Sequence, residues 1–88
     1  MHNTVTITGK LIQVLGNWMV RAERTSAESR HLTEKLVGVK PRENVIRDFH
    51  RLKDRRVRMQ GIMPAHAFME VSGIKEVDDD HTHSDRRA

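Results

Sequence analysis

The order of sequence patterns predicts a small, mainly β domain: five strands curling into a barrel, with one helix between the third and fourth. Alternating apolar residues run from Thr4 to Leu15, and two shorter extended stretches follow. A single helical pattern at Pro41–Lys53 comes next, then two more strands at Arg56–Met63 and Phe68–Val77. The chain's 88 residues leave room for one domain with a small core.

The first strand places Val5, Ile7, Gly9 and Leu11 on one face, after which the phase slips and Ile12 and Val14 continue the apolar series. A glycine and a phase change inside a long strand let it bend and serve both halves of a barrel. Gly16-Asn17 reads as a two-residue hairpin turn, since both types tolerate positive φ. The second strand follows as Trp18–Glu23, with Trp18, Val20 and Ala22 on one side. Thr25–Ser29 is a polar connection. Arg30–Val39 supplies the third strand through Leu32, Leu36, Val37 and Val39, although Glu34 and Lys35 fit a short helix equally well.

Pro41 suits the first turn of the helix, where its missing N–H is no loss. Val45, Ile46, Phe49 and Leu52 form one narrow apolar stripe, so this helix caps another element. Glu43 and Arg47 stand at the spacing of a helical ion pair. In the fourth strand Val57, Met59, Gly61 and Met63 alternate with Arg56, Arg58 and Gln60. Pro64–His66 is a short turn. The last strand carries Met69 and Val71, then Ile74 and Val77 after Ser72-Gly73, so a second bend is expected at Gly73. Met59, Met63 and Met69 suit the core. Met19 lies on the opposite side of its strand from Trp18, and beside Ile12 or Ile62 it would make an apolar patch. The domain thus spans residues 1–77, and 78–88 reads as a flexible charged tail.

Composition narrows the class further. With 36% hydrophobic and 32% charged residues the chain suits a soluble globule, and the absence of cysteine excludes disulfides and thiolate metal sites. No apolar run approaches the roughly 20 residues that span a bilayer. Met1–Thr6 lacks the basic and apolar parts of a signal segment, so a cytoplasmic setting and no membrane are expected. Between Lys40 and Arg58 lie Lys40, Arg42, Arg47, Arg51, Lys53, Arg55, Arg56 and Arg58, against Glu43, Asp48 and Asp54. From Phe68 to Asp80 the balance reverses. A basic middle suggests an anionic partner, or contact with the acidic end.

Catalytic motifs are missing: there is no Gly-rich phosphate loop, nucleophile elbow or zinc-spaced His/Glu pair. The expectation is a protein that is not an enzyme and needs no cofactor. Asp78-Asp79-Asp80-His81-Thr82-His83 offers ligand types, but a metal needs them fixed by surrounding structure, so no metal site is expected there. His31, His50 and His66 are scattered and read as surface or partly packed side chains.

Three segments resemble OB-fold domains: Val5–Leu11, Lys53–Gly61 and Met69–Val77. The likeness covers residues 4–77, and the helix falls where that fold has it. Small bacterial OB proteins, including single-strand-binding and primosomal ones, share this look. The resemblance implies a ligand surface on strands two and three with the loops after strands one and four. Here these are Trp18–Glu23, Arg30–Val39, Gly16-Asn17 and Pro64–His66. It brings Arg21 and Lys35 into a candidate nucleic-acid surface, beside the basic stretch Arg51, Lys53, Arg55, Arg56 and Arg58. Trp18 is the stacking candidate or a plug at the barrel end. Phe49 belongs to the helix stripe, and Phe68 fits either role. The expected partner is single-stranded nucleic acid, bound weakly and without sequence preference; the alternative is a protein partner or a homodimer.

Overall fold

The computed structural model describes residues 4–26, 30, 32–64 and 68–77. Five strands form a closed barrel in the order β1-β2-β3-β5-β4: β1 (Thr4–Val14), β2 (Asn17–Thr25), β3 (Leu36–Pro41), β4 (Arg56–Ile62) and β5 (Met69–Glu76). A 3₁₀ turn at Glu43–Val45 leads into helix α1 (Ile46–Arg51), which lies between β3 and β4 as the sequence predicts. All neighbours are antiparallel except β3 and β5, which run parallel. This is an OB-fold-like layout.

β1 is long because it serves two neighbours. Thr4–Lys10 pairs with β4 and Ile7–Val14 with β2, and the register slips between Thr8 and Gly9. The bend therefore sits at the glycine, ahead of the phase change predicted after Leu11. A side chain on Gly9 would run into the Arg21 carbonyl, so the crossing of β2 over β1 requires glycine. A second slip lies between Gln60 and Gly61, where Gln60 faces Gly73 and Gly61 faces Val71. Ser72 is left over, which bends β5 close to the predicted position.

The hairpin turns one residue earlier than Gly16-Asn17. Leu15 and Gly16 occupy it with φ of 52° and 84°, and Asn17 already pairs with Val14. Gly16 thereby takes the second turn position, the place glycine holds in Asn-Gly turns. β3 is shorter than Arg30–Val39. Thr33 and Glu34 form a turn, with Glu34 at φ 67°. The Glu34 N–H donates to the Ala22 carbonyl at 2.6 Å, and the Lys35 carbonyl accepts from Ala22 at 3.0 Å. Two charged residues interrupt the alternation there, and the chain turns where a strand would have placed one of them inside. Pro41 ends β3 instead of opening the helix. No ion pair joins Glu43 to Arg47; Arg51 donates to Asp48 at 2.9 Å instead.

The predicted helix stripe is the barrel's plug. Val45, Phe49 and Leu52 are buried together with Ile7, Leu11, Val20, Met59 and Met69, and Ile46 is half-buried. The Trp18 ring meets Phe49 edge-on at 5.3 Å and His50 at 5.3 Å. Met63 and Ile74 are partly buried against this core. Among the described residues no helix is long and apolar enough to cross a membrane. His31, the turn at Pro64–His66 beyond Pro64, and the tail from Asp78 lie outside the described residues.

Candidate nucleic-acid interface

Alternation in β1, β2 and β3 sends Val20, Val37 and Val39 inward and their neighbours outward. On the outside Ile12 faces Met19, and Met19 faces Gly38, so the three form one row across the strands. Gly38 has no side chain, and the Phe68 ring occupies that space: a Cβ on Gly38 would lie 3.1 Å from three of its ring atoms. Phe68 is 49% exposed and Leu36, opposite Arg21, is 47% exposed. Arg21 and Lys40 are exposed on the same face, above and below Gly38. An open aromatic ring on a bare strand, with a cation on either side, can stack a planar group and hold the phosphates attached to it.

The residues proposed from sequence do not gather at one place. Trp18 is only 9% exposed and packs on Phe49 and His50, so its plug role is the one realised. The stacking role is thereby corrected, because a base cannot reach a ring enclosed at the barrel end. Arg51 is taken up by Asp48. Arg55 donates to Glu76 at 3.0 Å, and Arg56 to Glu23 at 2.7 Å. Exposed pairs like these contribute little stability, on the order of 1 kcal/mol or less, but they neutralise the donors that a phosphate would use. Lys53 and Arg58 make no ion pair with another described residue, and neither do Arg21 and Lys35.

A depression of about 440 Å³ lies over the Arg55–Arg56 region. Lys10, Arg55 and Arg56 line it opposite Glu23, Asp54 and Glu76, leaving no excess positive charge for an anion. Sequence reasoning favoured this stretch because charge density along a chain says nothing about cross-strand carboxylates. It left open Phe68 and missed the Gly38 seat beneath it, together with Lys10, Arg24, Lys40 and Lys75 as outward cations. Period-two alternation marks Phe68, Gly38, Lys10 and Lys40 as outward, whereas Arg24 and Lys75 are turned outward by the extra residues Glu23 and Ser72 at the two register slips. Nothing local in the sequence joins Phe68 to Gly38, which are brought together only by the parallel pairing of β3 with β5.

Among the described residues no cluster of His, Cys, Asp and Glu could hold a metal ion. The chain matches no protein family, no curated protein and no solved structure.

Proposed function

We propose that this barrel is a non-catalytic OB-fold module, cytoplasmic in setting, that binds single-stranded nucleic acid weakly and with little sequence preference. The observation that carries the reading is the exposed Phe68 ring seated on Gly38, between Arg21 and Lys40. One base stacks on the ring while the two cations take flanking phosphates; every base has a face to stack, so sequence matters little. Replacing Phe68 by Ala is expected to weaken binding of a labelled oligothymidylate about 5- to 150-fold, the range for one lost stack. Fluorescence anisotropy at low salt measures it, and Trp18→Phe serves as the contrasting variant with near-wild-type affinity. Equal affinity of Phe68→Ala and wild type would remove the stacking site.

A second reading, a protein-assembly module, is favoured by the hairpin tip. Val14 is 39% and Leu15 97% exposed, and Leu15 holds a positive φ that bulky side chains avoid. An apolar side chain kept at a strained, fully solvated turn suits a surface that another protein covers. If this tip joins two copies, light scattering over a dilution series shows a dimer that persists; a monomer throughout excludes that form of the reading.

A further inference from the structure

Away from the Phe68–Gly38 seat, the barrel wall carries a cationic feature that the proposed function leaves unused. Thr8 on β1 faces Arg24 on β2 and Arg58 on β4, and Arg58 faces Lys75 on β5. Opposed residues project from the same side of a sheet. Arg24, Arg58 and Lys75 therefore stand in one row on the outside, with the short Thr8 between the first two. All three are exposed, and none makes an ion pair with another described residue. At about 4.8 Å per strand the row spans roughly 14 Å of wall.

Two details distinguish this row from an ordinary solvated surface. Arg58 stands directly opposite Lys75, and like charges so placed destabilise a sheet unless an anion lies between them. Beside them runs a shallow groove of about 290 Å³, lined by Arg58, Gln60, Gly73, Ile74 and Lys75. Gly73 keeps it open without being needed for packing: a Cβ there would meet only the Gln60 side chain, at 3.7 Å.

We infer that this row is a phosphate track, a deepening that rests on the nucleic-acid reading. A single strand held at Phe68 passes Arg21 on β2, and its backbone continues over Arg24, Arg58 and Lys75. The arginine forks bind phosphate oxygens in pairs, and Lys75 adds a point charge. The row holds no exposed apolar side chain to form the centre of a protein interface, so the ligand is a phosphodiester chain.

The test uses the full chain with Arg24→Gln, Arg58→Gln and Lys75→Gln combined, and its melting temperature checks that folding is retained. Labelled oligothymidylates of about 5 and about 16 nucleotides cover the range of site sizes for one such barrel. For the longer one, the slope of log K against log salt is expected to shrink by about 2, since each single-strand phosphate contact contributes about 0.7. Its affinity at low salt is expected to fall by tenfold or more, while the shorter one binds as before. A control with Arg30→Gln, Arg42→Gln and Arg47→Gln removes equal charge elsewhere; an equal loss there would overturn the track. Unchanged slope and affinity in the row variant, with Phe68→Ala still weakening binding, would overturn the track alone. Wild-type protein that binds neither oligonucleotide would overturn both readings. A polyglutamate peptide that binds as tightly, through the same three residues, would assign the row to acidic proteins instead.

Discussion

Alanine at Gly61 is expected to unfold the barrel or lower its melting temperature drastically. A Cβ there would strike the Glu70 carbonyl and come within 2.9 Å of the Val71 Cα. Both obstacles are backbone, so no rotamer change relieves them. β5 would have to leave β4, and the ladder from Val57 to Ile62 would lose its partner. Over-packing that side chains and backbone absorb by shifting costs about 1–3 kcal/mol and occasionally more; here two paired backbones collide, so the cost should lie at or above the top of that range. Total stability of about 5–15 kcal/mol leaves little to spare in so small a domain. Gly9→Ala meets the Arg21 carbonyl in the same way and should behave alike. Thermal melts followed by circular dichroism measure both variants; melting within a few degrees of wild type would show that the strands do not approach so closely.

The second large effect is expected from Phe49→Ala. Phe49 is wholly buried and is the part of α1 that enters the barrel end. Truncating a buried phenylalanine costs about 3–5 kcal/mol, and the edge contact with Trp18 adds about 0.5–1.5 kcal/mol. A fall in melting temperature of at least about 12 °C follows for a domain of this size. Trp18, no longer covered, should emit at longer wavelength. An unchanged melt with unchanged emission would mean that the helix does not close the barrel.

The fold was legible because its determinants are periodic. Val57, Met59 and Gly61 point inward by simple alternation, and Val45, Phe49 and Leu52 by helical spacing; the structure buries all six. What escaped depended on partners distant in sequence. Arg30–Val39 resembles one strand through Leu32, Leu36, Val37 and Val39, but the Ala22 backbone draws Glu34 and Lys35 into a turn. The candidate site was harder still. Arg55 and Arg56 looked free in the sequence because Glu76 and Glu23, which neutralise them, stand 21 and 33 positions away. Trp18 offered two roles, and only its contact with Phe49 separates them. Conversely, the Phe68–Gly38 seat arises where β5 begins alongside β3, a proximity that closure of the barrel creates.

An NMR titration of the labelled protein with a short oligothymidylate at low salt tests the proposed binding face most directly. The expected result is a set of shifts centred on Arg21, Gly38, Lys40 and Phe68, fading as salt rises. Shifts absent from those four residues, or confined to Arg51–Arg55 at the end of the helix, would contradict it.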